Sequence, residues 1–105
     1  MASGLPISID CGRPIKDLEQ LSKVGRTAEG GVSRPAFSSS DRKAKAKVKN
    51  WMAKAGLEVR EGPAGNIIGT RKGKKCGLPV VMTGSHLDTV PNGGRLDGAL
   101  EVLGG

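Results

Sequence analysis

His86, the one histidine of the chain, stands two residues before Asp88 and is followed further on by Asp97. In extended backbone, side chains two apart share a side, so His86 and Asp88 can converge with Cα atoms about 7 Å apart. That spacing suits a metal ligand and its orienter: a metal-bound imidazole commonly donates its other N–H to a carboxylate, which fixes the tautomer and raises the basicity of the ring. Between Asp88 and Asp97 runs Thr-Val-Pro-Asn-Gly-Gly-Arg-Leu, where Pro91 and the Gly93-Gly94 pair permit a reversal toward the histidine. A carboxylate returning there adds an oxygen donor, and nitrogen with carboxylate oxygen suits zinc, manganese or cobalt rather than calcium. On spacing alone two readings stand, an ordinary hydrogen-bonded His-Asp pair and a metal site. Ser85 is a poor nucleophile candidate, because it adjoins the one histidine and adjacent strand residues face opposite ways.

These residues need a scaffold, and the pattern supplies an α/β one. Ile15, Leu18, Leu21 and Val24 recur at helical spacing before Gly25, which predicts a short first helix. Arg26 to Phe37 lacks periodicity and reads as a loop, with Phe37 stapling its end. Ser38 and Asp41 form a capping-box-like pair opening a helix to about Ala55, with Ala44, Val48, Trp51, Met52 and Ala55 on one stripe. Leu57 to Glu61 and Asn66 to Lys72 predict strands around a Gly62–Gly65 turn. Leu78 to Thr83 is a continuous apolar run with β-branched residues, expected to be a strand buried on both faces of a mixed sheet. Ligands gather at the carboxyl ends of such strands, which is where His86, Asp88 and Asp97 fall, ahead of a helix starting near Gly98.

Composition narrows the function classes. Phe37 and Trp51 are the only aromatic residues and seventeen residues are glycine, so a core of this composition is small and costly to order. The net charge of +7 raises a nucleic-acid or acidic-surface partner. Ten of the seventeen positive side chains lie in Arg42–Lys54 and Arg71–Lys75, however, away from the chemistry, and the chain offers few rings on which bases could stack. The Lys-rich helix reads as a solvated outer face. Cys11 and Cys76 read as free thiols, and neither a secretory leader nor a membrane-length apolar run is visible, so a cytoplasmic location is expected.

Gly84-Ser85-His86-Leu87-Asp88-Thr89-Val90-Pro91-Asn92-Gly93-Gly94-Arg95-Leu96-Asp97-Gly98-Ala99 closely resembles the first metal motif of the dinuclear-zinc aminoacylase and carboxypeptidase superfamily. Asn92-Gly93-Gly94, with Val24-Gly25-Arg26-Thr27, Gly30-Gly31-Val32, Arg34, Phe37-Ser38, Trp51-Met52, Ala55-Gly56-Leu57 and Ala64-Gly65-Asn66, resembles the branch of N-carbamoyl-L-amino-acid hydrolases, allantoate amidohydrolases and ureidopropionases. The resemblance implies an N-terminal extension over 1–14 and part of a catalytic domain over 15–105. It implies that His86 binds one metal, that Asp97 bridges two divalent ions (zinc, or manganese or cobalt) and that Asp88 holds the His86 ring. It further implies a cis peptide at Asp97–Gly98, hydrolysis of linear amides in N-carbamoyl or ureido substrates, and a homodimer when the family's later segments are present. The family's proton-relay glutamate comes later in sequence, so the chain by itself is expected to be inactive. Leu96 and Glu101 depart from the family pattern, which has Tyr or Phe and Gly there, and Glu101 is expected to crowd the metals or replace a ligand. The alternative is a small basic binding protein, for instance for nucleic acid, that keeps the motif without activity.

Overall fold

The computed structural model describes residues 7–105; the first six residues of the expected N-terminal extension lie outside them. The elements are α1 (Gly12–Ser22), α2 (Ser39–Lys54), β1 (Glu58–Glu61), β2 (Ile67–Thr70) and α3 (Ala99–Gly104).

Helix α2 starts where its cap directs. The Ser38 hydroxyl accepts the Asp41 N–H at 3.2 Å, and Asp41 Oδ2 in turn accepts the Phe37 N–H at 3.0 Å, so the reciprocal bond reaches one residue further back than in the usual box. Ala44 and Val48 are buried and Trp51 and Met52 partly so, while Ala55, past the helix end, is exposed. Phe37 does not staple: its φ is +66° and its ring lies in the open, with Lys45 Nζ 5.7 Å from the centroid. Lys45 also pairs with Asp41 at 3.3 Å and Lys49 with Glu61 at 3.0 Å, so two of the helix's lysines are not merely solvated.

Helix α1 begins at Gly12, earlier than the apolar spacing predicts, and buries Leu18 and Leu21. Ile15 is 63% exposed. At 1.5 Å per residue α3, which packs on α1, spans about 9 Å against roughly 16 Å for α1, too short to cover both ends.

β1 and β2 form an antiparallel hairpin with Glu58 opposite Thr70 and Glu61 opposite Ile67, and α2 packs on it. The expected third strand does not form: Leu78–Thr83 has no ladder partner among the described residues, and Val81 is 98% exposed. A strand apolar on both faces is held by neighbours and by a layer on each side. The only sheet of the described residues is the two-stranded hairpin, and it offers neither. The architecture is therefore α/β with a small antiparallel sheet.

The core is one cluster of Leu18, Leu21, Ala44, Val48, Leu87 and Ala99. Leu87 matters most for the site. It points inward between His86 and Asp88, and that turns both polar neighbours outward without a sheet to impose the alternation.

Arg34, 1% exposed, fastens the loop after α1 to this cluster. Its Nε donates to the Leu87 carbonyl at 2.8 Å, and its Nη1 donates to those of Leu21 at 3.0 Å and Val24 at 2.9 Å. Burial lowers the Arg34 pKa, and the charges of Asp41 and Asp88 act in the opposite direction. An arginine starts from so high a value that it stays protonated throughout. Arg34→Met keeps the apolar stem but leaves the Leu87 and Val24 carbonyls without the guanidinium donor and the Leu21 carbonyl with backbone N–H donors alone. The expected loss is about 3–5 kcal/mol, read as a lower urea midpoint at unchanged slope. A loss under about 1 kcal/mol would show that the carbonyls find other partners.

Candidate metal site

His86, Asp88 and Asp97 come together. On one side of the ring, Nδ1 lies 2.9 Å from the Asp88 carbonyl oxygen and 3.5 Å from Asp88 Oδ1. A carbonyl can only accept, so in the neutral ring this contact places the proton on Nδ1 and leaves the lone pair on Nε2. On the other side Nε2 faces Asp97 Oδ2 at 3.4 Å. With the ring neutral, both are electron-pair donors, and a cation between them would be held by both. A charge-assisted hydrogen bond would draw them to about 2.7–2.9 Å. Two ligands each about 2.0–2.1 Å from a tetrahedral zinc stand roughly 3.4 Å apart, which is the separation found.

The donor set thus fits a metal ion at His86 Nε2 and Asp97 Oδ2, with Asp88 behind the ring. Among the described residues no His, Cys, Asp or Glu completes a cluster of three ligands. The Asp97 side chain is 87% exposed, and a cavity of about 160 Å³ opens beside it, lined by His86, Asp88, Thr89 and the Gly93–Gly94 backbone. A larger hollow of about 510 Å³ near Asp10, Arg13 and Lys16 lies on other residues and shares none of these donors.

The Asp97–Gly98 peptide is trans, against the expectation of a cis bond; the described residues contain no cis peptide. The turn is made instead at Gly98, whose φ is +77°. A Cβ added there would meet the His86 carbonyl oxygen and come within 2.6 Å of ring atoms Nδ1 and Cε1. Glycine is thus required twice, by the left-handed backbone and by the ring it backs. Glu101 lies exposed in the first turn of α3, without an ion pair among the described residues, and it forms no three-residue ligand cluster with His86 and Asp97.

Thr89 is a residue the sequence pattern did not single out. Its N–H donates to the Arg34 carbonyl at 2.8 Å, and its hydroxyl accepts the Arg34 N–H at 2.9 Å. Arg34 itself stood out only through resemblance. Gly98 was visible as a helix start, and the available clue to its closer role was a glycine directly after a candidate ligand. Arg95, by contrast, is a surface charge, 3.2 Å from Glu19 with both groups about half exposed.

No family model matches the chain. It is 48% identical over 88 residues to an N-carbamoyl-L-amino-acid amidohydrolase of Pseudomonas sp. (strain NS671), covering 84% of this chain and 21% of that protein. It is 40% identical over 98 residues to a ureidoglycolate hydrolase of Arabidopsis thaliana, covering 93% and 21%. Its fold superposes on a crystal structure of a hydantoinase/carbamoylase family amidase from Burkholderia ambifaria with a TM-score of 0.87 and 38% identity, over 90% of this chain and 24% of that one. Fold and sequence together place the chain with the hydantoinase/carbamoylase amidases. The relatives it resembles are named N-carbamoyl-L-amino-acid amidohydrolases, allantoate amidohydrolases and ureidoglycolate hydrolases, and the chain spans about a fifth to a quarter of their length.

Gly98→Ala is expected to force the His86 ring away from Asp97 and to cost about 1–3 kcal/mol through backbone strain. Thermal unfolding reads the cost, and the His86 ring resonances read the displacement; unmoved resonances would show that the backbone yields instead.

Proposed function

We propose that the chain supplies part of the metal site of an amidohydrolase acting on linear C–N bonds of N-carbamoyl amino acids or related ureido compounds. The observation that carries this reading is the facing of His86 Nε2 and Asp97 Oδ2 at 3.4 Å, with the other ring nitrogen committed to Asp88. His86 and Asp97 would hold divalent metal, zinc or else manganese or cobalt, and Asp97 would be the ligand shared by two ions. Bound there, the metal would supply Lewis acidity and a water of lowered pKa for attack on a carbamoyl or amide carbon.

The chain's own residues do the positioning. The Asp88 carbonyl, 2.9 Å from Nδ1, would accept a hydrogen bond from the Nδ1–H and so favour the tautomer that presents Nε2. Leu87, anchored in the core, holds the two polar neighbours outward, and Gly98 backs the ring. Relatives named for carbamoyl amino acids and ureidoglycolate support the substrate class, and a homodimer and a cytoplasmic setting are proposed with it. No helix of the described residues is long and apolar enough to cross a membrane. Nucleic-acid binding is the weaker reading: Lys45 and Lys49 are engaged with acidic partners, and no cluster of exposed rings accompanies the basic face.

The test is metal titration of the chain. Zinc is expected to bind one site, to perturb the His86 ring, and to lose at least tenfold in affinity in His86→Ala and Asp97→Asn. Zinc uptake unaffected by both substitutions would defeat the reading. Hydrolysis of N-carbamoyl amino acids by the 105-residue chain alone is expected to be absent, because two protein ligands leave the metal shell incomplete.

A further inference from the structure

The loop carrying Asp97 is held by a latch outside the donor set. Asn92, at its apex, has φ +51° and makes three polar contacts with the loop that follows α1. Its Oδ1 accepts from the Thr27 hydroxyl at 2.6 Å, its Nδ2 donates to Glu29 Oε2 at 2.7 Å, and its N–H donates to the Ser33 hydroxyl at 2.8 Å. Beside it Val32 and Gly93 exchange both backbone hydrogen bonds, at 2.9 and 2.8 Å. Gly31 leaves room for the contact, since a Cβ there would sit on Asn92, 2.9 Å from both its backbone carbonyl carbon and its Cγ.

We infer that Asn92 is a positioning residue for the metal site: it pins the Asp88–Asp97 loop so that Asp97 faces His86 before any metal arrives. The inference rests on the metal-site reading. Its physical basis is preorganisation. Asp97 is exposed, and its loop holds two adjacent glycines, so without a latch the loop's conformational freedom would have to be lost when metal binds, at the expense of affinity. An amide is suited to the task because Asn92 uses both its ends, one as acceptor from Thr27 and one as donor to a carboxylate, and because asparagine tolerates the left-handed backbone.

The experiment is a double-mutant cycle on the 105-residue chain with zinc as the probe. Asn92→Asp keeps the backbone conformation and the acceptor for Thr27, but sets a carboxylate against Glu29. Zinc affinity is expected to fall about five- to tenfold even though the added negative charge by itself attracts the ion. The amides of residues 88–97 should exchange faster with solvent, while the melting temperature moves little, because these side-chain bonds are exposed and lie outside the core cluster. Adding Glu29→Gln, whose amide can donate to the new carboxylate, should restore both affinity and protection, a rescue that a general surface effect would not give. Wild-type affinity in Asn92→Asp, or no recovery in the double variant, would overturn the proposal. If the wild-type chain takes up no zinc at His86 and Asp97, the metal reading falls separately and amide exchange alone decides the latch: protection lost and regained across the cycle upholds it, and protection unchanged in Asn92→Asp sinks it.

Discussion

A single buried guanidinium organises this structure. Arg34 has no exposed face on which to shed its charge, and it is kept inside because three main-chain carbonyls from two separate stretches converge on its fork. Two of them, from Leu21 and Val24, belong to the end of α1 and the turn after it, where Leu21 also accepts the Val24 N–H at 3.0 Å. The third, from Leu87, lies between the candidate ligand and its orienter. One side chain therefore satisfies a helix terminus and fixes the strip of backbone that presents His86 and Asp88. Asp41 adds to this centre. It is buried at the start of α2, pairs with Lys45, and keeps one oxygen without a partner in a region made favourable to negative charge by Arg34.

The site gains its geometry from the chain that precedes it by some fifty residues. Thr89 and Arg34 are tied main chain to main chain and through the Thr89 hydroxyl, which also donates to the Val32 carbonyl at 2.9 Å. Each bond exchanges a water partner for a protein one and is worth only about 1 kcal/mol, so none alone would hold a glycine-rich loop. Their effect comes from sharing one rigid template, the loop between α1 and α2, which is itself pinned to the core through Arg34.

Legibility in the sequence followed whether a signal was local. The Ser38–Asp41 cap and the Gly62–Gly65 turn are decided within a few residues of themselves, and the structure shows α2 and the hairpin where those residues direct. His86, Asp88 and Asp97 were equally legible as a group, because residues two apart share a side and Pro91 with paired glycines permits the return. The run Leu78–Thr83 failed for the opposite reason: an apolar segment reports that it tolerates burial, whereas strand pairing depends on neighbours elsewhere. Ile15 and Ala55 failed at helix ends, where periodicity continues but the packing partner does not. Arg34 was illegible as a core residue, since composition ranks arginine among the residues least often buried, and only its partners explain its place.

That failed strand changes how the site itself is understood. At the carboxyl end of a buried strand, ladder hydrogen bonds upstream of His86 would orient it. Here the run leading into His86 is exposed and has no ladder partner among the described residues. Everything that fixes the histidine comes from behind it or after it in the chain: Leu87 in the core, the Asp88 carbonyl on the ring, Thr89 on Arg34, and Gly98 against the imidazole. Among the described residues, the restraints on this donor pair run through the α1–α2 loop. The Nε2 to Oδ2 separation of 3.4 Å is thus tied to that loop through the hydrogen bonds of Thr89 and Asn92.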